Sequence, residues 1–127
     1  IYGDQYMKIK KHKISFVHAI EGLVYALRTQ PNFLIHLVIS AAVFASGLVI
    51  GLTTSEWVVI SLTIFLGLVI ELINTAIESA VDLSTPSYHP VAKIAKDTAA
   101  AAMLIYAIGA CIVGLLIFIP KLSWPLI

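Results

Sequence analysis

The chain alternates between long apolar runs and short polar breaks. Three runs dominate: 33–51 (FLIHLVISAAVFASGLVIG), 57–82 (WVVISLTIFLGLVIELINTAIESAVD) and 98–119 (TAAAAMLIYAIGACIVGLLIFI), the last closed by Pro120. A membrane-spanning helix needs roughly 20 predominantly apolar residues, and each run supplies about that many. GLTTSE (51–56) reads as a short turn between the first two. Residues 83–97 form a longer polar connection, with Pro86 and Pro90 keeping its first half out of a helix.

The N-terminal part, about 12–30, has a different rhythm. Phe16, Val17, Ile20, Leu23, Val24 and Leu27 fall on one side of a helical wheel, with His18, Glu21, Tyr25 and Arg28 on the other. Such an amphipathic helix lies in the membrane surface or packs against its own bundle. Pro31 marks the break before the first span. The pattern predicts an all-α membrane protein of one unit, 1–127: a surface helix and three transmembrane helices, with no internal repeat or low-complexity tract.

Composition agrees. Hydrophobic residues make up 60% of the chain and charged ones 12%. A soluble domain of this size has no core large enough for that much apolar surface. The net charge of +1 argues against a nucleic-acid footprint. The single cysteine, Cys111, makes neither a disulfide framework nor a zinc site, and is expected to be a small packed side chain. The stretch after Ile1, which is not a methionine, lacks the charge-then-apolar-then-small pattern of a signal peptide.

Charge asymmetry sets the expected orientation. Lys8, Lys10, Lys11, Lys13 and Arg28 precede the first span, Lys93 and Lys96 lie between the second and third, and the 51–56 turn has no lysine or arginine. The positive-inside rule puts the N-terminus and the 83–97 connection in the cytoplasm, with Lys121 a minor exception outside.

The second run ends in ELINTAIESAVD (71–82), where the apolar pattern is broken by Glu71, Asn74, Glu78 and Asp82. At helical phase these four lie within an arc of about 80° and a length of about 16 Å. Thr75 borders them. Each ionised group facing acyl chains would cost at least about 2.5 kcal/mol. They must therefore look into a protein cavity, bind cations or hold protons. The connection brings Lys93, Lys96 and Asp97 to the same side of the membrane. Carboxylates and an amide oxygen suit magnesium, and lysine suits phosphate. Together they are the equipment of phosphoryl transfer. No GxxxxGK[ST] loop or glycine-rich kinase loop is present. Two other readings use the same residues: a proton- or cation-conducting path, and polar glue between helices. His36 reads as a helix-packing residue. Ala99–Ala102 and the Ala110-xxx-Gly114 spacing suit close helix contact.

ELINTAIESAVD followed by YHPVAKIAKD (88–97) resembles the signature of the prokaryotic diacylglycerol kinase and undecaprenol kinase family, small integral-membrane lipid kinases. The pattern is E-x-x-N-[ST]-A-I-E-x-x-x-D, then x-A-K-D, and the resemblance extends through GLVYALRTQPNF and all three spans. It implies a homotrimer in the bacterial inner membrane. Its sites would be shared between subunits at the cytoplasmic interface, using magnesium and ATP to phosphorylate a lipid alcohol. By matching position it implies Glu71 as catalytic base and Glu78 as a magnesium ligand, with Asn74 shaping the metal and phosphate site. Lys96 and Asp97 would handle the nucleotide and Asp82 would support them. Tyr88 and His89 would lie against the nucleotide, and Lys11 falls near a basic position on that side. Where some members carry a glutamate as a second metal ligand, this chain has Gln30, a neutral donor. YALRTQPNFLIHL and HPVAKIAKD resemble the undecaprenol-type members more than the diacylglycerol-type ones.

Overall fold

The structure is a computed structural model that describes residues 2–122, with side chains described from residue 15 onward. Four helices follow one another: α1 (Tyr2–Thr29), α2 (Pro31–Ile50), α3 (Thr54–Ser84) and α4 (Pro90–Leu122). The chain is an all-helical membrane protein in which α2, α3 and α4 are each long and apolar enough to span.

The helix ends follow from local chemistry. Gln30 alone separates α1 from α2. It is extended (φ −109°, ψ 99°), and Pro31 opens α2 where a missing N–H costs nothing. Gly51 ends α2 in the left-handed region (φ 79°), its N–H donating to the Gly47 carbonyl. Thr53 and Glu56 form a reciprocal cap: Thr53 N–H donates to the Glu56 carboxylate at 2.7 Å, and Glu56 N–H donates to Thr53 Oγ1 at 3.3 Å. That cap starts α3 three residues ahead of its apolar run.

Three differences from the sequence pattern have physical causes. The α1 helix begins at Tyr2 rather than near residue 12. Pro90 serves as the first residue of α4 instead of a breaker, which shortens the connection to 85–89 and puts Lys93, Lys96 and Asp97 on a helix. Pro120 lies inside α4, which continues to Leu122; so near the end, its missing donor disturbs only the final turn.

The α3 helix is the axis. Both α4 and α2 pack along it, while α1 meets α2 and α3 less extensively. Among the described α1 side chains Ala26 alone is buried, and Phe16 to Leu27 keep their apolar face uncovered by this chain. The α3–α4 seam is fixed where the Tyr106 hydroxyl donates to the Thr63 carbonyl. It can do so because Gly67 has no side chain: a Cβ there would stand 2.5 Å from the Tyr106 oxygen. At the far end, Glu56 pairs with Lys121 at 3.0 Å, which neutralises the one lysine expected on that side. The α2–α3 seam is closed by Phe44 and Trp57, whose ring centroids are 4.9 Å apart.

Length sets the position of the polar stripe. The α3 helix has 31 residues and α2 has 20, so α3 outruns α2 by about 16 Å. Since α2 alone matches the roughly 30 Å hydrocarbon thickness, the 71–82 stripe begins level with the first turn of α2 and continues into the overhang. We expect Gly67→Ala to cost about 1–3 kcal/mol of stability by overpacking against Tyr106. In detergent unfolding, Gly67→Ala with Tyr106→Ala should cost less than the sum of the two single changes. Additive costs would mean the seam is not held by this contact.

Candidate functional site

Helical phase and overhang together bring the stripe to one end of the bundle. Glu71 is 2% exposed, and Asn74 and Thr75 are also buried. Thr75 uses its hydroxyl on the Glu71 carbonyl of its own helix, at 3.0 Å. Asn74 Nδ2 donates to Glu78 Oε1 at 3.3 Å, which fixes the amide and leaves its Oδ1 buried with no hydrogen-bond partner. A buried acceptor left unpaired costs about 1–3 kcal/mol. Here it lies beside a half-buried carboxylate, so two hard oxygen donors share one spot.

Further along, Asp82 leaves the bundle and meets α4. Lys96 Nζ donates to Asp82 Oδ1 at 2.5 Å. Asp97 pairs instead with Lys93, one turn back on the same helix. The adjacent Lys96 and Asp97 are thus not each other's partners; each is held by a third group. Both pairs are well exposed, so solvent screening leaves them little role in stability. Their effect is to fix where one cation and one anion stand at the mouth of the stripe.

The other expected residues are placed less tightly. Tyr88 is 80% exposed in the 85–89 loop. His89 is exposed, and its Nδ1 accepts from the Val91 N–H at 3.2 Å, capping α4. Gln30 sits at the α1–α2 joint and its Nε2 donates to Thr29 Oγ1 at 3.2 Å, leaving its carbonyl oxygen as the group suited to a cation. Lys11 lies on α1 with its side chain outside the described residues.

Lys93, named from sequence without a partner, and Tyr106, not singled out there, also belong here. Lys93 holds Asp97, and the i, i+4 spacing on a helix carried that signal once Pro90 was taken as a helix start. Tyr106 lies 6.4 Å from His36, ring to ring, and locks α4 to the turn of α3 just before Glu71. It stands inside an apolar run with no local mark of its partner.

The donor set fits magnesium in kind. That ion is usually held by one or two carboxylates and takes its other ligands from water and substrate phosphates. Among the described residues no group of three or more His, Cys, Asp or Glu converges as a self-contained metal cage. Glu78, the unpartnered Asn74 Oδ1 and the neutral Gln30 oxygen therefore suit an ion that arrives with a phosphate.

Comparison with known proteins gives one consistent answer. A family model described as prokaryotic diacylglycerol kinase matches residues 17–118. The chain is 48% identical over 108 residues to a Bacillus subtilis protein named undecaprenol kinase, covering 85% of this chain and 88% of that one. It is 46% identical over 110 residues to a Synechocystis protein named diacylglycerol kinase, covering 86% of this chain and 63% of that one. A Helicobacter pylori protein named diacylglycerol kinase matches over 50 residues at 54% identity, covering 39% of each.

The unpartnered Asn74 oxygen makes a stability prediction. Asn74→Leu, which removes it, should leave the thermal midpoint without divalent cation unchanged or higher. If the unaltered protein binds magnesium with a nucleotide, mass action raises its midpoint, and the same change should abolish that rise. A variant that still gains the full shift would rule Asn74 out as part of the cation site.

Proposed function

The chain belongs to the prokaryotic diacylglycerol kinase family and is a membrane lipid kinase; from that premise we propose that it phosphorylates undecaprenol, with diacylglycerol as the alternative alcohol. ATP is the co-substrate a kinase of this family implies. The observation that carries the reading is a buried carboxylate, Glu71, followed on the same helix face by the Asn74–Glu78 oxygen pair within the next two turns, at the end of the bundle where the α4 lysines stand. A conducting path has no special need of the Lys96–Asp82 and Lys93–Asp97 pairs, whereas a phosphate site does.

In this reading the residues divide the work. Glu71 accepts the proton of the lipid hydroxyl. As that oxygen bonds to the γ-phosphorus, the bond from phosphorus to the β–γ bridging oxygen breaks and ADP leaves. Burial keeps water away from Glu71, so the lipid hydroxyl is the nucleophile it serves. Glu78, with Asn74 and Gln30, would hold magnesium, which would neutralise charge on the phosphate oxygens. Lys96, kept in place by Asp82, offsets the remaining negative charge. Asp97, Tyr88, His89 and Lys11 line the nucleotide side.

The preference for undecaprenol rests on the 48% identity to the protein of that name, which extends over most of both chains. The orientation follows from the lysines: the α1–α2 joint and the 85–89 loop face the cytoplasm, where ATP is, across the bacterial inner membrane. The assembly is a homotrimer that shares its sites between subunits. The uncovered apolar face of α1 and the open sides of α3 and α4 support further association in the membrane.

A mixed-micelle assay with magnesium-ATP and each lipid tests the reading. Transfer to undecaprenol should be faster than to diacylglycerol, and no transfer to either would refute it. Glu71→Gln should lower turnover by about 100-fold or more, the scale of lost acid–base catalysis, with ATP binding retained. Gln30→Glu should lower the magnesium concentration for half-maximal rate. An unchanged requirement would remove Gln30 from the metal site.

A further inference from the structure

Four side chains at the start of α4 share one face. With the helical phase carried back one residue to His89, the positions His89, Lys93, Lys96 and Asp97 fall within an arc of about 100°. The backbone ties the first two together, since the Lys93 N–H donates to the His89 carbonyl at 3.0 Å. Val91 and Ile94 lie outside this arc and are exposed apolar positions. Polar and apolar residues are thus sorted onto different sides of the first two turns.

The two lysines on this face are held differently. Lys96 is paired with Asp82 of α3, so its pair joins two helices, and its side chain is 39% exposed. Lys93 is paired with Asp97 of its own helix, and these two side chains are 60% and 61% exposed. A pair so open to solvent adds little stability. Its order, base N-terminal to acid, is also the weaker of the two on a helix. Breaking it moves two side chains and no helix. Of the two α4 lysines, Lys93 is therefore the one that changes partner at less cost.

With both pairs made, the four charges cancel. A phosphate chain carries more negative charge than a carboxylate, and a lysine offered both is drawn to the phosphate. Level along the helix says which phosphate. The α3 helix runs outward to Asp82, and α4 runs inward from Pro90. Lys93 therefore stands about 4.5–6 Å further out than Lys96 and Asp97. Glu71 and Glu78 lie inward of Asp82, and the phosphoryl group in transfer lies with them. A cation one turn further out meets the phosphates that stay behind on ADP.

We propose that Lys93 is a nucleotide ligand held in reserve. In the free protein it pairs with Asp97. When a magnesium-nucleotide binds, it leaves that carboxylate and donates to an oxygen of the phosphates that stay with ADP. The proposal rests on the kinase reading above and adds a residue to it. Only hydrogen bonds are exchanged, and no covalent bond changes.

Three measurements test it. Lys93→Gln should raise the KM for magnesium-ATP about tenfold, the scale of one charge-assisted hydrogen bond, with turnover at saturating ATP changed far less. Lys93→Arg should restore most of the loss. An unchanged KM, or a loss confined to turnover, would overturn the proposal. The same loss should appear in magnesium-ADP binding when Asp97→Asn is already present. A loss that vanishes in that background would make Lys93 only the holder of Asp97. In the unaltered protein, acetylation of Lys93 by acetic anhydride, read by mass spectrometry, should be slowed by magnesium-ADP. Equal acetylation with and without magnesium-ADP would overturn the proposal, and so would slowing by undecaprenyl phosphate alone, which would mark a lipid headgroup site. The acetylation result decides the matter where a variant fails to fold or the Asp97→Asn protein binds no ADP. An unaltered protein that phosphorylates no lipid alcohol sinks the kinase reading. One that does so while Lys93 is acetylated alike with and without magnesium-ADP sinks the role of Lys93 alone.

Discussion

An ionised side chain cannot rest against acyl chains, and the rest of this molecule is arranged around that constraint. Four polar positions occupy one face of α3, and three of them are acidic. The helix accommodates them by outrunning its neighbour: α2 is as long as the hydrocarbon is thick, and α3 is eleven residues longer. Glu71 and Asn74 are covered by protein, Glu78 is half covered, and Asp82 stands clear of the bundle with a lysine from α4. Cover falls as the stripe moves outward. The buried end of the stripe is shielded from water, and its exposed end is open to solutes.

The same constraint governs the opposite end. A lysine at the last turn of α4 would otherwise stand alone at the far membrane edge. It is matched by Glu56, which already serves the Thr53 cap. One carboxylate therefore starts α3 and neutralises the end of α4, tying together the helix pair that carries the site. Between the two ends the seam carries a polar contact, Tyr106 on Thr63, whose geometry depends on Gly67 being a glycine.

Much of this was legible in the sequence. Three apolar runs gave three spanning helices, and phase alone gathered Glu71, Asn74, Glu78 and Asp82. The family resemblance was shown by the match over residues 17–118. What sequence did not show were facts of pairing across helices. Lys96 and Asp97 are neighbours in the chain, but a helix points adjacent residues about 100° apart, so each found another partner. Proline was read as a breaker at 90 and 120, although at a helix start it is compatible and near a helix end it disturbs little. Ala110 and Gly114, whose spacing suits close helix contact, line an open slot within the single chain. Cys111 was expected to be packed and is exposed on the same wall.

The joint at Gln30 has a mechanical consequence. A single extended residue offers two soft torsions and no slack, so α1 hangs from α2 as a rigid arm and not as a tethered float. A bilayer thinner or thicker than α2 is met largely by tilt. Tilt of α2 turns the arm, and with it the carbonyl of Gln30 at the pivot. The membrane's own thickness is in this way geared to the position of the Gln30 side chain.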